Sequence, residues 1–204
     1  MVSIIKKVIP LILKIFLSVL FLSLKNDKKE KTVNDFSLLN VDGKSVSLND
    51  YHNAKGFIII FTCNHCPFAK LYPDRMNQLN ERYKSFGIPL LAISSTDTLV
   101  YEEDNYSHMI EKSSKEKFNF PYLLDGDQNV AKDFGASKTP HAFVIWREKD
   151  HFTVKYSGTI DDNGAEPDKV KNQYVVKAVD ALLASKEVDI KETKSIGCQI
   201  HFRK

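Results

Sequence analysis

Two absences narrow the field before any motif is considered. Lysine and arginine are not gathered into a stripe, and the formal net charge is only +3 over 204 residues. The electrostatic footprint of a nucleic-acid binder is therefore missing, and no nucleic acid is expected as a partner. Cysteine is scarce: three residues, too few for a disulfide scaffold and odd in number, a count that suits a reactive site better than structural cross-linking. Internal repeats are absent, and low complexity is confined to the lysine-rich run Lys25–Lys31. What remains is ordinary globular composition, with 27% charged and 43% apolar residues. The length is enough for one domain to bury a real core without disulfide staples.

Long apolar runs are also lacking, with one exception at the start. Lys6 and Lys7 precede "VIPLILKIFLSVLFLSL", residues 8–24, and a polar run follows. Basic then apolar is the order of an export signal. The run is at the lower limit for spanning a bilayer, Pro10 and Lys14 interrupt it, no A-x-A-like cleavage site follows, and no cysteine is placed for lipidation. The expectation is an exported, periplasmic or otherwise extracytoplasmic protein, either soluble after cleavage or attached to a membrane through residues 8–24.

Further on, strand and helix patterns alternate. "FSLLNVDGKSVSL" predicts a hairpin around an Asp42-Gly43 turn. "GFIIIFT", Gly56 to Thr62, predicts a strand buried on both faces. Phe68, Leu71, Tyr72, Met76, Leu79, Tyr83 and Phe86 recur at helical spacing up to a stop at Gly87, with a kink expected at Pro73. "IPLLAIS", "PYLLD", "HAFVIW" and "FTVKYSGTI" predict further strands. "YEEDNYSHMIEKSSKEKF" predicts a surface helix and "NVAKDFGA" a short one, while Pro167 is expected to start the last helix. The alternation implies an α/β sheet with an antiparallel pair near its end.

Chemistry is concentrated in "FTCNHCPFAK". Cys63 and Cys66 are three apart, which fits a redox couple or half of a zinc site. Their place where a buried strand gives way to a helix favours the couple. There the free N–H groups and the helix dipole would stabilise a Cys63 thiolate, with Cys66 one turn behind as the resolving sulfur. His65, if protonated, would add a charge that lowers the thiol's pKa; an exposed polar residue in a turn is the bland alternative. Thr139-Pro140 precedes the strand "HAFVIW", and an X–Pro bond in such a place can be cis.

Together "FTCNHCPFAK", "FPYLLDGDQNVAKDFGASKTP", "YSGTIDDN" and "SIGCQIHF" resemble the exported thioredoxin-like family of the AhpC/TSA (redoxin) type. The resemblance implies a thioredoxin-like fold, a central mixed β-sheet flanked by helices, with an N-terminal hairpin and a helical insertion over Leu99–Phe118 added. It also implies that Pro140 is cis and packs on the Cys63–Cys66 pair, and that the Thr139 backbone pairs with an incoming substrate. The expected organisation is residues 1–24 as signal peptide or anchor and 25–31 as linker. Residues 32–186 form the thioredoxin-like domain and 187–204 a tail carrying Cys198. Two departures stand out. Phe57 occupies the position of thioredoxin's buried acid, and Thr62 that of its tryptophan.

Three functions compete. A thiol–disulfide oxidoreductase would act on protein or small-molecule disulfides, need a separate electron donor or acceptor, and use no cofactor. A thiol peroxidase would want a hydroxyl residue three before its peroxidatic cysteine, where Ile60 stands before Cys63, and an arginine, for which Arg147 is the candidate. A zinc module would combine Cys63 and Cys66 with Cys198 and His201 of "CQIH". "DGDQN", Asp125 to Asn129, lacks the glycine and terminal glutamate of a calcium loop and is taken as a turn. Asp161 and Asp162 are likewise expected in a solvated turn.

Overall fold

The computed structural model describes residues 30–149 and 151–203. The export segment expected over residues 8–24 lies outside them. Among the described residues no helix is long and apolar enough to cross a membrane.

The strands are β1 (Thr32–Val33), β2 (Ser37–Asn40), β3 (Ser45–Ser47), β4 (Gly56–Phe61), β5 (Leu90–Ser94), β6 (Tyr122–Leu124), β7 (Lys138–Thr139), β8 (His141–Glu148), β9 (His151–Gly158) and β10 (Cys198–Gln199). The α-helices are α1 (Pro73–Tyr83), α2 (Tyr106–Lys115), α3 (Asn129–Phe134) and α4 (Tyr174–Leu183). The large sheet runs β1-β9-β8-β4-β5-β6-β2-β3, and β7 pairs with β10 in a separate two-stranded sheet. β5 is parallel to β4 and to β6, whereas β8 is antiparallel to β4. This is the mixed, helix-flanked sheet of the thioredoxin-like fold.

β4 organises it. Every residue of "GFIIIF" is buried, and the alternation of a strand sends successive side chains to opposite faces. Ile58 and Ile60 enter a core with Met76, Leu79 and Tyr83 of α1, Met109 of α2 and Val175, Ala178 and Val179 of α4. Phe57, Ile59 and Phe61 enter the other, with Val130, Ala131 and Phe134 of α3. Burying each of these side chains is worth about 1.5–3 kcal/mol, which accounts for the unbroken apolar run.

The predicted hairpin forms as β2–β3 and joins the sheet edge on β6. Two helix starts differ from expectation. Pro73 does not kink a helix but begins one, at its first position, where a missing N–H and a fixed φ cost nothing. Pro167 starts a 3₁₀ turn, Pro167–Lys169, and α4 begins only at Tyr174. The intervening chain is held extended by Asp162, which accepts from Lys171 N–H and from the Asn172 side chain at 2.9 Å each. Its neighbour Asp161 is not solvated: it is buried, paired to Arg75 at 2.7 Å, and accepts from the Tyr72 hydroxyl at 3.2 Å. "DGDQN" is a turn, in which the buried Asp125 carboxylate caps α3 by accepting from Val130 and Ala131 N–H.

Candidate functional site

Cys63 and Cys66 lie in the turn that leaves β4, and both are fully buried. No α-helix starts at Cys63. The chain passes through a 3₁₀ turn, Ala69–Leu71, before α1 starts at Pro73. The free N–H groups of that first turn serve Cys66 instead. Its sulfur receives Ala69 N–H, and its carbonyl receives Lys70 N–H at 3.1 Å.

Thr139 stands over both sulfurs. Its side-chain oxygen is 3.1 Å from Cys63 Sγ, and its carbonyl accepts the Cys66 S–H at 3.1 Å. The Thr139-Pro140 peptide is cis, as the resemblance implied, and both residues are buried. Cys198 pairs with Thr139 in the β7–β10 register. Cys63, Cys66 and Ala69 form a small buried cluster against which Cys198 packs, and Cys198 itself is half-buried.

The ionisation pattern follows from these donors. The Cys63 thiol hydrogen bond, the Cys198 thiol, and the N–H groups of Ala69 and Cys198 hold Cys66 down to about 4 against the cost of burial. Cys63 is pushed up, first by that shared hydrogen bond, then by burial and by the Asp104 carboxylate. Cys198 is raised to about 11 by burial and by its negative neighbour Cys66. With the tail docked, the donors around the couple thus favour the charged form of Cys66 over that of Cys63.

His65 is tied to a residue that sequence reasoning missed. Its Nδ1 meets Asp104 Oδ2 at 2.5 Å, and its ring stacks on Tyr101 with centroids 3.8 Å apart. Asp104 is fully buried, and its Oδ1 also accepts from Asn64 N–H at 2.5 Å and His65 N–H at 3.1 Å. One carboxylate thus fixes the loop between the two cysteines. From α2 of the insertion, Lys112 donates to the Cys63 carbonyl at 2.9 Å, and burial lowers its pKa. The expected surface helix is part of the site. Nothing in "YEEDN" singled out Asp104 from the acids beside it.

The proposed zinc set does not assemble. Three of its four residues, Cys63, Cys66 and Cys198, come together, but His201 is exposed and lies near Tyr101, ring centroids 5.6 Å apart. Among the described residues, the ligand atoms of Cys63, His65 and Asp104 do lie within 4.8 Å of one another. The direct 2.5 Å bond between His65 and Asp104 leaves no room for an ion between them. Arg147 does not reach the site either. It lies beyond the Gly56↔Trp146 pair, whereas the cysteines follow the Phe61↔His141 pair. Its guanidinium is used on the Ala54 and Tyr51 carbonyls at 2.9 and 3.1 Å. Ile60, three before Cys63, is a fully buried core residue with no hydroxyl to offer a peroxide.

His141, directly after Pro140, is held down to about 4 by burial and by Lys31. Its Nε2 is 3.0 Å from the Ser157 hydroxyl. Charging opposes folding here, so the unfolded chain binds the proton first. Stability should be full above pH about 6.5 and fall by about 3 kcal/mol as pH drops toward 4. Denaturant melts of His141→Gln should show a flatter slope across that window; an unchanged slope would assign the acid sensitivity elsewhere.

Comparison with known proteins adds the following. The model of the AhpC/TSA family matches residues 30–163, more than half the chain; the match stops before the tail that carries Cys198. A thiol–disulfide oxidoreductase ResA from Bacillus thuringiensis is 24% identical over 123 residues, 59% of this chain and 66% of that protein. This chain therefore spans slightly less than two thirds of that relative's length. Among solved structures, hypothetical protein SMc02350 of Sinorhizobium meliloti superposes with TM-score 0.78 at 29% identity over 85% of this chain and 94% of its own. An uncharacterized conserved protein of Geobacillus kaustophilus gives 0.77 at 34% identity, over 85% and 92%.

Proposed function

The chain belongs to the AhpC/TSA family, and from that premise we propose that it is an extracytoplasmic thiol–disulfide oxidoreductase whose Cys63 and Cys66 cycle between dithiol and disulfide. The observation that carries this is Thr139, which touches both sulfurs at 3.1 Å through chemically different atoms. Its carbonyl accepts a hydrogen bond from the Cys66 thiol and its hydroxyl can donate one to the Cys63 sulfur. Once the tail's donors are withdrawn from Cys66, these two contacts favour Cys66 as thiol and Cys63 as thiolate.

In the reaction so proposed, Cys63 thiolate attacks one sulfur of a substrate disulfide and expels the other as a thiolate. The resulting mixed disulfide is then attacked by Cys66 at the Cys63 sulfur, releasing the second substrate thiolate. The substrate gains two electrons and the protein is left with a Cys63–Cys66 disulfide. A separate dithiol donor restores it, or a separate acceptor is served when the couple runs in the oxidising direction. The substrate is a protein or small-molecule disulfide. Export rests on residues 1–24, with basic residues preceding an apolar run.

The test is parallel turnover of insulin disulfides and of hydrogen peroxide by the same protein with dithiothreitol as donor. The expected result is disulfide reduction exceeding peroxide reduction by at least about a hundredfold, since Ile60 has no hydroxyl and the Arg147 guanidinium is committed to the Ala54 and Tyr51 carbonyls away from Cys63. Faster peroxide turnover would replace this reading with a thiol peroxidase.

A further inference from the structure

The couple is covered by the chain's own tail. β10 pairs antiparallel with β7 so that Cys198 stands opposite Thr139, the residue that touches both active sulfurs. Any strand that pairs with this edge of β7 delivers the residue facing Thr139 to the couple. The residue that does so here is a cysteine, its thiol and its N–H both directed at Cys66. Cys63 and Cys66 have no exposed surface, whereas Cys198 is half-buried. Of the three cysteines it is the one with exposed surface in this state.

The approach is built into the chain. Gly197 has φ +154°, a conformation that favours glycine, and a Cβ there would collide with the Thr139 carbonyl, coming within 2.6 Å of its carbon. Beyond Cys198 the strand is pinned. Ile200 is buried and its N–H donates to Ser137 O at 2.9 Å, while Gln128 donates to the His201 carbonyl at 2.7 Å. Arg203 pairs with Asp97 at 2.8 Å.

We propose that Cys198 is a third redox cysteine: the tail occupies the substrate's strand position as a tethered substrate, and Cys198 exchanges with the Cys63–Cys66 disulfide to form a Cys66–Cys198 disulfide. This rests on the reading of Cys63–Cys66 as a redox couple. Cys198 thiolate attacks the Cys66 sulfur, the Cys63–Cys66 bond breaks and the Cys66–Cys198 bond forms. Cys63 leaves as a thiolate and takes up the proton that Cys198 lost. The exchange needs no oxidant, because one disulfide replaces another. The new disulfide places one sulfur at the surface, where the thiolate of an external reductant attacks Cys198 and expels Cys66.

The experiment uses the full chain and oxidised dithiothreitol, with the disulfides mapped by mass spectrometry of non-reduced peptides. Cys63→Ser should form an intramolecular Cys66–Cys198 link in most molecules. Gly197→Ala, which keeps all three cysteines, should lose that link at least tenfold relative to wild type. It should also raise the alkylation rate of Cys63 and Cys66 at least tenfold and still form Cys63–Cys66. Absence of the Cys66–Cys198 link in Cys63→Ser, or Gly197→Ala behaving as wild type, overturns the proposal. The two failures separate cleanly. A wild-type chain that never forms Cys63–Cys66 sinks the couple itself, whereas a wild-type chain that forms it without the tail link showing in Cys63→Ser sinks only the role of Cys198.

Discussion

Replacing either Cys63 or Cys66 by serine is expected to lower insulin-disulfide turnover at least about a thousandfold, because a serine hydroxyl can neither form nor resolve a mixed disulfide. The two variants should fail at different steps. Cys66→Ser leaves Cys63 able to attack but removes the sulfur that releases the product, so covalent substrate adducts should accumulate on Cys63. Cys63→Ser should give no such adduct at Cys66 with a protein disulfide while the tail remains docked. Circular dichroism and thermal melts should show both variants folded, since each change is near-isosteric in a small buried cluster. Turnover within tenfold of wild type in Cys63→Ser would remove that residue from the mechanism. Adducts accumulating on Cys66 in place of Cys63 would exchange the two roles.

Asp104→Ala carries the largest expected loss of stability at the site. It leaves Asn64 and His65 N–H and the His65 ring without their common acceptor in a fully buried position. Orphaned buried donors cost about 1–3 kcal/mol each, so the loss should be about 4 kcal/mol by urea denaturation. A loss under about 1 kcal/mol would show that water replaces the carboxylate, contrary to its burial. Asp104→Asn separates structure from charge, because the amide oxygen can still accept the two backbone N–H groups. Removing the negative charge beside Cys63 takes away one of the causes that raise its pKa. Measured in a Cys66→Ser background, the pH midpoint of Cys63 alkylation should fall. A midpoint that stays or rises would refute the electrostatic role of Asp104.

Much of this was legible locally. The unbroken apolar run of β4, the Asp-Gly hairpin and the Gly87 stop, whose φ is +80°, are encoded within a few residues of where they act. So was the pairing of "CNHC" with Thr139-Pro140, through the resemblance those motifs carry. Other features were not legible because they are set by partners distant in sequence. Asp104 was missed and Arg147 misplaced for one reason: a charged side chain's burial depends on what meets it, and here the partners are 39 to 99 positions away. Pro73 was misjudged because helical spacing does not distinguish a kink from a start when a 3₁₀ turn precedes it.

The sequence alone determined that a strand ends at a close pair of cysteines, that a sheet of α/β type carries them, and that a third cysteine exists. Side-chain periodicity and spacing are properties of the chain itself. Only the tertiary structure decided which donors surround each sulfur and what the third one faces. Those depend on the packing around Cys66 and on the β7–β10 register, and hydrogen bonds between segments some sixty residues apart leave no trace in local pattern.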